Sequence, residues 1–153
     1  MKKLFVISVA LILGFLTSCR SDNNSESAQL MLTGSWQPDK IVSVATPING
    51  APTTTTVVTN ACQKKGRLVF NANSTGKVTY WDDSSGTCIV TLQSDFTYSF
   101  NPDTKQFTIT INNNTMEGAV TTLTDGNLVI YYVDKSNASI TNKVEISATK
   151  VAN

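Results

Sequence analysis

The sequence contains no histidine. That removes the Ser-His-Asp triad, the Cys-His pair and every imidazole metal ligand. Charge is sparse, with 12 basic and 11 acidic residues making up 15% of the chain. No stripe of Lys or Arg is present, so nothing gathers nucleic acid or anionic lipid by its field, and nucleic acid is not an expected partner. The three cysteines are too few and too far apart for a zinc cluster or a redox pair. Asp82-Asp83 with Gly86 lacks the spacing of a calcium loop. Ser74-x-x-Lys77 has the outline of a nucleophilic serine motif, but it lies in a turn between strands and lacks a companion Lys-Thr-Gly. No catalytic residue, metal or cofactor is therefore expected, and the chain does not read as an enzyme.

What is present begins with an address. Lys2 and Lys3 precede an apolar run, Leu4 to Leu16, of 13 residues. A bilayer span takes about 20, so this run has the layout of a secretory signal instead. It ends in Leu16-Thr17-Ser18-Cys19, which resembles the lipobox of bacterial lipoproteins. The resemblance implies that residues 1–18 are removed and that Cys19 carries acyl chains holding the protein to the membrane. Each buried CH₂ of such chains contributes about 0.8 kcal/mol. Loss of Lys2 and Lys3 leaves 10 basic against 11 acidic residues. Arg20 to Gln29 is polar and aperiodic, so residues 19–31 read as a lipidated Cys and flexible tether. Ten extended residues reach roughly 35 Å. Ser21-Asp22-Asn23-Asn24 is similar to the acidic export signal that follows the lipidated Cys in Bacteroidetes lipoproteins. Together these imply an outer-membrane lipoprotein, with surface exposure as a further expectation.

Residues 32–153 form the domain, and their pattern is that of strands. Trp36 to Ala45 opens it, with an irregular start at Pro38, which cannot donate to a ladder. Thr46 to Asn60 contains Pro47, Gly50 and Pro52 and reads as a long loop with room for an edge strand over a barrel mouth. Strands are then expected at 66–72, 77–81, 87–93, through Phe96, Tyr98 and Phe100, through Phe107, Ile109 and Ile111, at 116–123, at 128–133 and at 144–151. Short turns rich in Asn, Asp, Ser and Gly separate them, Asp125-Gly126 being the strongest hairpin signal. Eight or nine strands on short connections predict an all-β, antiparallel, up-and-down arrangement, a sandwich or a barrel.

Once Cys19 takes lipid, Cys62 and Cys88 remain, and two thiols in an exported chain favour one disulfide. The loop it encloses corresponds to a stabilisation of roughly 3.5 kcal/mol. Gly34-Ser35-Trp36, Cys62-x-Lys64-Lys65, Leu68-x-Phe70, Thr75-Gly76 and Cys88, in that order, resemble the small lipocalin-like lipoproteins of Bacteroidetes. The likeness extends loosely through Phe107-x-Ile109 and Leu128-x-Ile130. It departs after the second Cys, where Phe96 or Tyr98 stands in place of a frequent Trp. It implies a lipocalin-like β-barrel of about eight antiparallel strands, without the C-terminal helix usual in larger lipocalins.

Within such a barrel the candidate lining or core residues are Trp36, Phe70, Tyr80, Phe96, Tyr98, Phe100, Phe107 and Tyr132. Eight strands enclose just enough space for side chains or for one small ligand, and alternation does not separate a filled core from a cavity. Two functions remain open. One is a monomeric binding lipoprotein that holds a small apolar molecule. The other is an accessory surface lipoprotein with a filled barrel that contacts a protein or glycan.

Overall fold

The computed structural model describes Ala28 and residues 31–152. Nine strands follow in order: β1 (Gly34–Pro47), β2 (Thr53–Val58), β3 (Arg67–Phe70), β4 (Thr75–Asp82), β5 (Ile89–Phe100), β6 (Gln106–Ile111), β7 (Asn114–Leu123), β8 (Asn127–Asp134) and β9 (Ile140–Val151). A single 3₁₀ turn, Gln63–Lys65, separates β2 from β3. All neighbours pair antiparallel, and β9 returns to pair with β1 from Ser35–Val151 to Pro47–Ile140. Eight strands thus close into an up-and-down barrel, with β2 as a ninth strand beside the upper half of β1.

Strand alternation decides what fills the barrel. Leu68 and Phe70 of β3, Phe96 and Tyr98 of β5, Phe107 and Ile109 of β6, Leu128 and Ile130 of β8 and Ile146 and Ala148 of β9 all point inward and are buried. Phe70 sits at the centre of an aromatic cluster, edge-on to Phe96, Tyr98 and Phe107 at centroid distances of 5.3, 5.0 and 6.1 Å. Room for Phe96 comes from Gly76 directly across the ladder, where a Cβ would stand 2.2 Å from the Phe96 ring and 2.4 Å from the Val69 carbonyl oxygen. Gly118 permits a similar approach of β8, since its Cβ would lie 1.8 Å from the Tyr131 carbonyl oxygen.

The lower end is shut by Trp36, which is fully buried. Its indole N–H donates to the Leu32 carbonyl at 2.8 Å. Lys150 lies across its other side, with Nζ 5.1 Å from the ring centroid and donating to the Met31 carbonyl at 3.1 Å. The ammonium is therefore paired with a π-face and a carbonyl, which offsets its partial desolvation.

Several boundaries differ from the sequence expectation. The strand expected at 87–93 and the Phe96–Phe100 strand are one continuous β5, because Ser94 and Asp95 are not a turn. Asp95 points outward towards Lys77, and Ser94 occupies an inward position opposite Val78. The tight hairpin is Asn112-Asn113, with φ of 50° and 64° between the paired Ile111 and Asn114; two successive positive φ values suit Asn and match strand twist. Asp125-Gly126 turns the β7–β8 hairpin as expected, with the Thr124 amide donating to the Asn127 carbonyl at 2.9 Å. The break at Pro38 is present as a bulge between Pro38 and Lys40. The Thr-rich part of the 46–60 segment is the exposed edge strand β2.

The signal (1–18), Cys19 and nearly all of the tether fall outside the described residues.

Candidate functional site

The barrel wall is not laddered all the way round. β3 pairs with β1 only at Gly34–Trp36, and β2 takes over that edge of β1 from Lys40 to Ala45. Among the described residues no ladder joins β2 to β4. Side chains and a covalent bond close this seam instead. Gln63 is buried and donates from Nε2 to the Tyr80 hydroxyl at 3.1 Å and to Asp82 at 3.4 Å. Asn60 accepts from the amides of Cys62 and Gln63, both at 2.9 Å, and donates to the Asp83 carboxylate. Thr59 donates to the Pro38 carbonyl at 2.9 Å. Cys62 is bonded to Cys88, which ties the turn after β2 to the start of β5. Asp82 accepts from the Ser84 hydroxyl, then from backbone amides and Gln63, and these bonds together hold its pKa below the ordinary carboxylate value.

Above the aromatic cluster the interior changes character. Ile41, Val78, Ile111, Tyr132 and Val144 face inward and rest on the core, yet all five keep partial solvent access. Higher still, Leu92 shares the inward face of Tyr80 by register and is 44% exposed. Ile89 on the same rim is 46% exposed. A filled barrel would bury these side chains as it buries Phe70 and Phe107. This upper end, with partly wetted inward aliphatics above a buried aromatic floor, is the chamber of the barrel.

Its main polar group is Tyr132. Burial raises the pKa of this phenol, with the nearby Asp134 charge adding to the shift, so the hydroxyl stays protonated at neutral pH. It has no hydrogen-bond partner among the described residues. No buried side-chain N or O atom among the described residues lacks a partner, so the unpaired Tyr132 oxygen keeps solvent access. At the rim, Asp134 accepts from the Ser136 amide at 2.8 Å and from Asn114 at 3.2 Å. Those bonds, the Ser136 amide first, hold its carboxyl below the ordinary value.

The eight residues nominated from sequence divide by height. Trp36, Phe70, Phe96, Tyr98 and Phe107 are buried and form the floor. Phe100 is partly buried against them at the lower end of β5. Only Tyr80 and Tyr132 reach the chamber. The aliphatics that line it, Ile41, Val78, Leu92, Ile111 and Val144, were not nominated, although each falls on the inward phase of its strand.

A second depression, about 900 Å³, lies outside the barrel across β5–β8. Ser99, Thr108, Thr115, Glu117, Tyr131 and Lys135 are among the residues lining it. It is an open and largely polar surface. No group of three or more His, Cys, Asp or Glu side chains among the described residues could hold a metal ion.

Solved structures similar to this chain share little sequence with it. Bovine odorant-binding protein, as a deswapped triple mutant, is 16% identical, with 80% of this chain and 76% of that one covered and a TM-score of 0.46. The bovine lipocalin allergen Bos d 2 is 12% identical, with 82% and 76% covered and a TM-score of 0.48. A complex of bovine odorant-binding protein with undecanal is 14% identical, with 80% and 72% covered and a TM-score of 0.46. No curated protein matches the sequence. The family model described as lipocalin-like domain matches residues 32–130, from the residue before the Thr33-Gly34 turn to the inward Ile130 of β8. With the barrel closed by β1 and β9 and floored by Trp36, the chain belongs to the lipocalin-like domain family.

Proposed function

We propose that this protein is a lipid-anchored binding protein of the bacterial envelope that holds a small apolar molecule in the upper half of its barrel. The observation that carries the binding reading is the partial solvent access of Ile41, Val78, Ile111 and Val144 above a buried aromatic floor. Side chains that face inward without being covered leave apolar surface for a ligand to remove from water, at about 25 cal/mol per Å².

The chain from Arg20 to Asn153 retains every strand, the core and the disulfide, all of which lie within residues 31–152. Titrated with N-phenyl-1-naphthylamine, it is expected to bind one dye per chain with micromolar affinity and a blue-shifted emission. Val144→Trp, which puts an indole into the chamber, should weaken binding by at least about tenfold. Circular dichroism should show the barrel intact. Dye binding unaffected by Val144→Trp would place the apolar site elsewhere and favour the accessory reading, with function on the outer surface.

The anchor is a separate proposal, supported by the Leu16-Thr17-Ser18-Cys19 sequence and the polar stretch that follows. Cys19→Ala in the full chain should move the protein from the outer-membrane fraction to the soluble one. Continued sedimentation with membranes after a salt wash would sink it. Accessibility of the wild-type protein to protease on whole cells distinguishes surface display from a periplasmic orientation.

A further inference from the structure

Charge is sorted across the upper wall. By register, Lys40 pairs with Val58 and Ser147, Lys77 with Asp95, and Lys143 with Val133, all on the outward phase. The contacts agree: Lys77 reaches Asp95, Lys143 lies 4.3 Å from the outward Tyr131 ring, Lys65 lies 5.3 Å from the Trp81 ring, and Lys135 lines the outer depression. Among the described residues, the inward phase above the floor carries two charges, and both are acids. Asp134 follows Ile130 and Tyr132 on β8, and Asp82 follows Val78 and Tyr80 on β4. No base on these strands turns inward to neutralise them, and the donors that reach them are neutral: Asn114 and Ser136 for Asp134, Gln63 and Ser84 for Asp82.

Below the acids stand two tyrosine rings, Tyr80 and Tyr132, the second with its hydroxyl unpaired among the described residues. A π-face attracts a cation, and a phenol accepts a hydrogen bond from an ammonium. A carboxylate head entering the same mouth meets two like charges and, among the described residues, finds no cation at the inward positions above the floor.

Resting on the binding reading above, we infer that the chamber takes an apolar-tailed molecule with a positively charged head, an amine, in preference to a carboxylate of the same tail. The tail lies on Ile41, Val78, Ile111 and Val144, and the head sits at the level of Tyr132 and Asp134. Asp82 adds to the field from across the mouth. The rim acids are solvated, so each acts through screened Coulomb attraction and not through a buried ion pair.

Isothermal titration of the Arg20–Asn153 chain with dodecylamine, dodecanol and dodecanoate, each below its aggregation concentration at neutral pH, tests this directly. The order expected is amine, alcohol, carboxylate, with amine and carboxylate about tenfold apart. Asp134→Asn should reduce that separation to about threefold while leaving dodecanol unchanged. Tyr132→Phe should weaken the amine and the alcohol more than it weakens N-phenyl-1-naphthylamine. Dodecanoate binding as tightly as dodecylamine, or an unaltered preference in Asp134→Asn, overturns the inference while the binding reading stands. Failure of all three ligands and of the dye overturns both.

Discussion

Trp36→Ala is expected to cost about 4 kcal/mol of stability, near the upper end of what truncating one buried side chain costs. The indole is fully buried at the floor, so its loss leaves a cavity bounded by strands that cannot collapse into it. Two further groups lose their partner at the same moment. The Leu32 carbonyl no longer accepts the indole N–H, and the Lys150 ammonium no longer lies over a ring. Urea denaturation of the Arg20–Asn153 chain should show the midpoint falling with little change in slope. Trp36→Phe keeps the bulk and a π-face but removes the hydrogen bond, and should recover more than half of the loss. A Trp36→Ala protein as stable as the wild type would mean that the floor is held by the aromatic cluster alone.

Removing the disulfide is the second large effect. The loop it closes spans a sequence separation of 26, and chain entropy alone assigns it about 3.5 kcal/mol. Cys62→Ser with Cys88→Ser should lower stability by about that amount. A further consequence follows from position, because the bond lies at the seam where no ladder runs between β2 and β4. What remains there are the polar contacts of Asn60 and Gln63, each worth about 1 kcal/mol net. Hydrogen exchange should therefore accelerate in β2 and in the upper part of β4 more than in β6–β8. Uniform acceleration across the barrel would show that the bond acts only on the unfolded chain. Alkylation of the native protein before reduction should label neither Cys62 nor Cys88.

The strands were legible because their signals are local, and the barrel over a sandwich came from the family resemblance. Alternation over Phe96–Phe100, Phe107–Ile111 and Leu128–Tyr132 marks strands without reference to the rest of the chain, and short polar connections force antiparallel neighbours. The pairing of Cys62 with Cys88 followed from there being two thiols left. The chamber was harder to read because burial depth is not local. Phe107 and Ile111 have the same phase on one strand, and only the shape of the closed barrel makes the first floor and the second wall. Of the candidate lining or core residues, the large rings fill the narrow, sealed end as core, whereas the wetted end is lined by aliphatics. The two stretches expected at 87–93 and 96–100 run together because Ser94 and Asp95 face opposite sides of an unbroken strand. The seam had no sequence signature, since Gln63 and Asn60 meet Tyr80 and Asp83 only after the chain has folded back.

The pairing of β1 with β9 has a kinetic consequence. Ser35 meets Val151 and Pro47 meets Ile140, so one edge of the first strand finds its partner only in the last, while the other edge takes β2 and β3. Each hairpin from β4 to β8 can form as soon as its own residues are available. The cylinder cannot close, and Ile41 cannot be covered by Ile146, until the whole domain has emerged. Non-local pairings of this kind place all-β domains among the slower folders, on the scale of milliseconds to seconds. A chain being threaded through a narrow channel would thus remain an open ribbon of hairpins for as long as its final strand is held back. A stop codon placed before Ile140 should leave it in that state permanently.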